Sequence, residues 1–380
     1  MPTQTEAYVS PSPAEPVQLR RIELVDPGEG EVLVEVVACS ICATDIKAAE
    51  GHFLLAPPLI LGHEGSGIVR EVGHNVAGFQ PGDKVVMTFA SCRQCRHCIA
   101  SRPSYCTQVG SLNFDGRRQD GSYVASMVTE GKPLAPLNAL FFGQSSLARH
   151  VLAHATSLVK LEDNTTVEDL RSITAMGCGF QTGAGAVLNV AQPPPGSRIA
   201  VIGAGSVGLA AALAALLTDP AQILLVDNDG RKFARLPACL SSVNHKSSNV
   251  SVNPLTEVLR RVTDDQGADF ILDCVGAASL IEAAIPALAI RGTVITVGGG
   301  PPNARASIRP LDMLRSGIAW RGTHQGDSDP REFIPLLIRL QKEGKLRLDQ
   351  LLSFYDFDKL HAALNDLKEG KVYKPVLVVR

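Results

Sequence analysis

Residues 198–227, RIAVIGAGSVGLAAALAALLTDPAQILLVD, constrain the fold more than any other stretch of this chain. Ile199 to Ile202 reads as a short buried strand. Gly203, Gly205 and Gly208 then spell G-x-G-x-x-G, an Ala/Leu-rich helix follows, and a second strand ends in Asp227. A bare glycine motif is weak evidence, but between a strand and a helix, with an acid about 20 residues on, it specifies a dinucleotide-binding unit. The glycines permit a tight turn and let a pyrophosphate approach the helix N-terminus. Asp227 would accept hydrogen bonds from the adenosine ribose and repel a 2′-phosphate, which favours NAD over NADP. Lys232 falls near the same ribose. The bland alternative is a buried glycine-rich turn with no ligand.

Further alternating units follow. ADFILDCVG (268–276) reads as strand then turn, SLIEAAIPALA (279–289) as helix and GTVITVGG (292–299) as strand. Together they predict a doubly wound parallel α/β sheet. The half up to about Gly177 has short β-like runs such as EVLVEVVA (31–38) and KVVMTF (84–89), so a mostly β lobe is expected there. The tail carries an amphipathic segment, REFIPLLIRLQKEGK (331–345), and a Val-rich strand that should return to the first lobe. With 380 residues, two domains are expected.

Nine cysteines bear on the chemistry. Four of them, Cys92, Cys95, Cys98 and Cys106, fall within SCRQCRHCIASRPSYC. The N-terminus has no charged region followed by an apolar run, no apolar stretch reaches the roughly 18 residues of a membrane span, and the C-terminus carries no organelle address. A reducing, cytoplasmic setting is therefore expected, where clustered thiols are metal ligands before they are disulfides. Four thiolates on one loop suit a closed, structural zinc site. Arg93, Arg96, His97 and Arg102 would offset its charge; two redox-active C-x-x-C pairs are the competing explanation. The net charge of −2 offers no case for nucleic acid or an anionic membrane surface.

A second, dispersed set is weaker. CSICATDIK holds Cys42, LGHEGSGIV holds His63 and Glu64, and MGCGFQTGAG holds Cys178. One histidine and two cysteines would make a three-ligand zinc site with a fourth position open, which is the catalytic pattern. Taken singly, a buried cysteine is more often a small core residue.

In their order, CATD, GHEGSGIV, the four-cysteine lobe, GCGFQTGAGAVLNV, VIGAGSVG with Asp227, and TVGGG resemble the zinc-dependent medium-chain alcohol dehydrogenases over essentially the full chain. FFGQSSLARH (141–150), SLNFDGRRQDGS (111–122) and GDSDPREFIPLLI (326–338) are most similar to the aryl (benzyl) alcohol dehydrogenase branch. The resemblance implies a GroES-like catalytic domain at 1–182 and 325–380 holding both zinc sites, and a Rossmann NAD-binding domain at 183–324. It implies Cys42, His63 and Cys178 as catalytic zinc ligands, with Glu64 able to approach the metal. Asp45 would orient His63, Thr44 would relay the substrate proton, Thr182 and the Val297–Gly298 turn would line the nicotinamide, and Lys374 would lie near the pyrophosphate. Zinc would polarise the substrate oxygen while a hydride moves between the carbinol carbon and the nicotinamide.

Two positions depart from the family pattern. Lys47 stands where many members carry the histidine at the outer end of the proton relay. Ala43 stands where some place a basic residue toward the cofactor phosphate. The stretch after Asp227, RKFARLPACLSSVNHKSSN, looks irregular for a helix, and GKPLAPLNAL (131–140) reads as a surface loop near the substrate side. His52, His150 and His324 read as structural or surface residues, although His324–Gln325 fall where the family places substrate-proximal or subunit-contact residues. Phe89, Phe141 and Leu112 are the substrate-facing candidates by analogy.

The expected function is hydride transfer between NAD(H) and an aromatic or allylic primary alcohol or aldehyde. A dedicated biosynthetic carbonyl reductase, possibly using NADPH, is the alternative. A non-catalytic zinc- and nucleotide-binding scaffold is a third reading, opposed by the intact metal trio. The expected partners are a small-molecule substrate and a second copy of the chain, as a homodimer or homotetramer.

Overall fold

Strand Glu31–Ser40, EVLVEVVACS, is buried along nearly its whole length because other strands cover both of its edges. Gly65–Val72 pairs with it antiparallel along one edge. On the other, His150–His154 pairs with its first half and the C-terminal strand Lys374–Val378 with its last residues. The computed structural model describes residues 2–53, 55–241, 245–249 and 255–380. In it the chain's tail does return to the N-terminal lobe, as its Val-rich sequence suggests. Leu352–Asp356 and Lys84–Met87 extend the same sheet. A five-stranded sheet built on Thr3–Ser10 and Gln18–Leu24 packs with it around one apolar core.

The second unit is a six-stranded parallel sheet. Its spatial order is His245–Asn249, Gln222–Asp227, Arg198–Ile202, Ala268–Asp273, Leu288–Thr296, Ala319–Gly322. The chain thus enters at the centre, runs to one edge, returns and runs to the other, which is the doubly wound dinucleotide-binding order. The strand order reverses between Arg198–Ile202 and Ala268–Asp273, so the ligand crevice lies outside their C-terminal ends.

Helix Ser206–Ala215 follows the glycine motif and is buried from Gly208 onward. Its small side chains let helix Gly179–Gly185 pack against it closely. A methyl group at Gly183 would stand 2.1 Å from the Val207 carbonyl oxygen. This contact joins the metal-bearing lobe to the nucleotide-binding sheet.

Two expectations are corrected. Residues 131–140 are not simply a surface loop, because Ala135–Leu137 forms an edge strand of the five-stranded sheet. Proline is tolerated at such an edge, which conceals the strand from a sequence reading. The segment 279–289 is helical only to Ala287, and Leu288 already opens the next strand. The irregular stretch after Asp227 is a six-residue 3-10 helix Gly230–Arg235 and a short helix Ala238–Ser241, broken by Pro237; its residues 242–244 lie outside the described residues.

Candidate active site and zinc centres

Helix Ala43–Ala49 begins at Cys42, and Asp45 closes its first turn. The buried Asp45 carboxylate accepts from the backbone N–H of Cys42 (3.0 Å) and of Gly62 (3.0 Å). Its Oδ1 also meets His63 Nδ1 at 2.9 Å. This bond fixes the imidazole so that Nε2 faces the site, where it is buried with no hydrogen-bond partner among the described residues. Cys178 caps helix Gly179–Gly185 from the other side. Ligand atoms of Cys42, His63, Glu64 and Cys178 all lie within 4.8 Å of one another. Sequence alone left this trio weak; the fold brings its members together.

The electrostatics suit a cation. The Cys178 thiol beside Cys42 holds the Cys42 thiol well below its ordinary range, against burial and with help from Lys374 and His63. Burial opposes charge on His63, but Asp45 and the Cys42 thiolate outweigh it and raise its pKa well above the usual imidazole value. An unpartnered imidazole nitrogen between two thiol sulfurs is a donor set that fits zinc.

Glu64 lies beside this set, but its carboxylate is already engaged. It accepts from the Gly179 N–H (2.8 Å) and from Ser40 Oγ, and it pairs with the Lys374 ammonium. Burial raises the Glu64 pKa, opposed by Lys374. Lys374 is fully buried; burial disfavours its charge, but Glu64 and the cysteine sulfurs more than restore it. A methyl at Gly179 would stand 3.4 Å from Lys374 Nζ and 3.8 Å from Ser206 Oγ. Lys374 therefore sits between the metal-ligand cluster and the first turn of the nucleotide helix. Ser40 and Gly179 were not among the sequence candidates.

At the glycine motif, Gly208 packs so closely on Gly203 that a methyl there would come within 1.8 Å of its carbonyl oxygen. Gly205 differs: a methyl would meet nothing within 4 Å, leaving open space at the helix N-terminus where a pyrophosphate fits. Asp227 is buried, accepts from the Ala204 N–H (2.8 Å) and pairs with Lys232 Nζ (2.8 Å). Val297 and Gly298 both donate backbone N–H bonds to the Asp273 carbonyl, which sets their turn at the crevice.

Thr44 is half-buried in the first turn after Cys42. Lys47 lies on the exposed side of that helix and reaches across to the Gly299 carbonyl at 3.0 Å. Thr182 Oγ1 shares its one proton between the Cys178 carbonyl (2.7 Å) and Gln325 Oε1 (3.1 Å). Ala43 is exposed beside Cys42.

Aromatic rings form one wall of the cluster. Phe142 stacks on the His63 ring with centroids 4.5 Å apart, and Phe141 meets it edge-on at 5.5 Å. Phe114 packs on Phe142 at 5.2 Å and on Phe53 at 5.5 Å. Of the three analogy candidates only Phe141 belongs to this wall. Phe89 lies in the same buried core as Phe141 but makes no ring contact with His63, and Leu112 lines a cavity beside Cys92 and Arg118. His52 is exposed near Glu50, His150 bonds Thr5 Oγ1 and His324 bonds the Ser104 carbonyl.

The second metal centre is local. Cys92, Cys95, Cys98 and Cys106 also place their sulfurs within 4.8 Å of one another. The Cys95–Cys98 and Cys92–Cys98 separations, 3.6 and 4.0 Å, bracket the edge of about 3.8 Å expected for thiolates around tetrahedral zinc. Backbone N–H groups of Cys92, Cys95 and Gln108 donate to the sulfurs at 3.2–3.4 Å.

The chain's relatives agree with this geometry. The alcohol dehydrogenase GroES-like domain family matches residues 28–163, and the zinc-binding dehydrogenase family matches residues 206–341. A geraniol dehydrogenase of Castellaniella defragrans is 34% identical over 364 residues, covering 96% of this chain and 94% of that protein. A zinc-binding-domain alcohol dehydrogenase from Burkholderia ambifaria superposes with a TM-score of 0.92 at 32% identity, and benzyl alcohol dehydrogenase from Acinetobacter calcoaceticus with 0.90 at 31%, each covering 100% of both chains. The chain belongs to the zinc-dependent medium-chain alcohol dehydrogenase family. It is an oxidoreductase whose two ligand clusters fit one catalytic and one structural zinc centre. No described helix is long and apolar enough to cross a membrane.

Proposed function

We propose that this enzyme interconverts aromatic or allylic primary alcohols and their aldehydes, using NAD(H). Phe53 and Phe114, partly buried rings that pack on the buried Phe141–Phe142 pair beside His63, carry this reading. Flat π-faces beside a metal ligand favour a planar unsaturated substrate over a flexible saturated chain. The geraniol and benzyl alcohol dehydrogenases among its relatives support the same substrate class.

Cys42, His63 and Cys178 would hold the catalytic zinc. Bound there, zinc supplies a Lewis acid for the substrate oxygen. Asp45 keeps His63 in the one orientation that presents Nε2. Thr44, in the first turn after Cys42, carries the substrate proton outward. Lys374 balances Glu64, so the cluster gains no net charge from that pair, and Glu64 is a standby neighbour rather than a free ligand. Gly203, Gly205 and Gly208 seat the pyrophosphate, Asp227 selects the unphosphorylated ribose, and Val297 and Thr182 flank the nicotinamide. The division into 1–182 with 325–380 and 183–324 is supported by the return of Lys374–Val378 to the first sheet. A cytoplasmic location is supported by the nine free cysteines.

A homodimer is also proposed. Strand Ala319–Gly322 ends its sheet with all four residues exposed, beside the exposed Leu314 and Ile290. An unprotected edge of this kind invites a second copy. Light scattering that gives a single-chain mass at micromolar concentration would remove this part.

The test of the main proposal is reduced-nicotinamide absorbance with NAD or NADP and benzyl alcohol, geraniol or 1-hexanol. The expected result is NAD-dependent turnover with kcat/KM for the unsaturated alcohols at least about ten-fold above hexanol, the worth of one or two good ring contacts. Equal values for all three alcohols would overturn the substrate assignment.

A further inference from the structure

Residues 324–329, HQGDSD, run between the two metal centres. Gln325, Gly326 and Asp327 take consecutive positive φ values of 55°, 64° and 50°. Two of the three carry side chains, so this backbone persists only because its surroundings hold it.

Polar contacts from the tetracysteine lobe hold the outer side of this segment, while Asn189 Nδ2 donates to the Gly326 carbonyl at 2.9 Å from within. Tyr105 Oη donates to Asp327 Oδ1 at 2.7 Å, His324 Nδ1 meets the Ser104 carbonyl at 2.7 Å, and both terminal nitrogens of Arg93 donate to Asp329 Oδ1 at 3.1 Å. Thr323 (2.6 Å) and Arg321 (3.0 Å) complete the grip on Asp327. On its inner side the segment abuts helix Gly179–Gly185. A methyl at Gly185 would stand 2.4 Å from the Gly326 carbonyl oxygen, and Ser328 Oγ donates to Gln181 Oε1 at 3.0 Å. The result is one buried side chain aimed at the catalytic cluster. Gln325 places Nε2 3.5 Å from Cys178 Sγ while its Oε1 accepts from Thr182.

We propose that Gln325 is a positioning residue for Cys178, and that the tetracysteine lobe keeps it in place. The proposal rests on Cys178 being a ligand of the catalytic zinc. An amide N–H donated to a thiolate draws charge from the sulfur and fixes its direction, and such outer partners tune both metal affinity and reactivity. The lobe is then more than a local clamp. Through Tyr105, Ser104 and Arg93 it sets the loop that sets the ligand, and through Thr182 the same glutamine reaches the nicotinamide side.

The experiment compares cobalt-substituted wild type, Gln325→Met and Tyr105→Phe by thiolate-to-metal charge-transfer absorption. Subtracting the spectrum of Cys178→Ser removes the bands of Cys42 and of the lobe and isolates the Cys178 contribution. Removing the N–H donor makes the sulfur more electron-rich, so Gln325→Met should shift the isolated band to longer wavelength, with kcat reduced about 10- to 100-fold. Tyr105→Phe, a change at a partly exposed ring, should shift the band in the same direction by less, with thermal stability and total metal content unchanged. A Gln325→Met band that superposes on the wild type overturns the role of Gln325. A shift in Gln325→Met without one in Tyr105→Phe overturns the role of the lobe. If subtraction leaves no band at all, Cys178 is not a ligand, and the zinc assignment fails along with the proposal.

Discussion

Lys47 Nζ donates to the Gly299 carbonyl at 3.0 Å, tying the helix that follows the first metal ligand to the crevice of the nucleotide-binding sheet. We propose that a lysine so engaged serves as a strut across the cleft rather than as the outer end of a proton relay. Replacing it by Met removes that tie and should weaken NADH binding by up to about five-fold, the scale of an exposed charged contact. The pH dependence of kcat should stay where it is. Fluorescence titration of NADH and a pH–rate profile check both halves; a displaced profile would restore Lys47 to the relay.

Asp45 serves three donors at once, the Cys42 and Gly62 amides and the His63 ring. In Asp45→Asn one carboxylate oxygen becomes an NH2 group that cannot accept. Affinity for the catalytic zinc should fall about 10- to 100-fold, while the tetracysteine zinc is retained. Chelator competition followed by metal analysis should therefore show one labile and one resistant equivalent. Equal retention of both metals would show that Asp45 does not matter to the site. Asp45→Ala also strands two buried amides and should cost about 2–4 kcal/mol in urea unfolding.

How much of this could be read from sequence depends on chain distance. The tetracysteine lobe is legible because its ligands lie on one loop, and spacing alone implies a shared ion. The glycine motif is legible because strand, turn, helix and acid are consecutive. Cys42, His63 and Cys178 carry no such local signal, and only the family resemblance joined them. Gln325 and Ser40 stayed hidden as partners because a neutral polar side chain reports nothing about which sulfur or carboxylate it will meet. Lys374 was expected near a pyrophosphate, where a lysine is solvated; nothing in YKPVLVV indicates that it is buried against Glu64. The edge strand Ala135–Leu137 was masked by its own proline.

His154 provides a pH test outside both ligand sets, although it shares a cavity with Cys92. Its Nδ1 accepts from the Thr156 N–H (3.2 Å) and lies 2.8 Å from Thr156 Oγ1, an arrangement that needs a neutral ring. Burial lowers its pKa, with Glu31 opposing. The folded form therefore binds fewer protons than the unfolded one between the folded pKa and the ordinary value of about 6.5. Stability from this group is complete above about 6.5 and is lost as pH falls toward the folded pKa, at less than about 1.4 kcal/mol per pH unit. His154→Gln should reduce the loss of urea midpoint between pH 7.5 and 5.5, with zinc in excess at both. An undiminished loss in the variant would assign the acid sensitivity elsewhere, with His150 the next candidate because burial lowers its pKa too.

Under the proposed function, Asp227 selects the cofactor by charge. It is buried at the strand end, tied to the Ala204 amide and paired with Lys232. A 2′-phosphate brought beside it would face a fixed negative charge, a repulsion of a few kcal/mol at about 4 Å and an effective dielectric near 20. Asp227→Ser removes that charge and frees Lys232 to meet the phosphate. The ratio of kcat/KM for NADP to that for NAD should rise about 100- to 1000-fold. NAD activity should itself fall about ten-fold, because the ribose loses its acceptor and the Ala204 amide loses its strongest one. Initial rates with both cofactors on one alcohol give the ratio directly. If the wild type already uses NADP as well as NAD, Lys232 rather than Asp227 governs the ribose, and the substitution should leave the ratio unchanged.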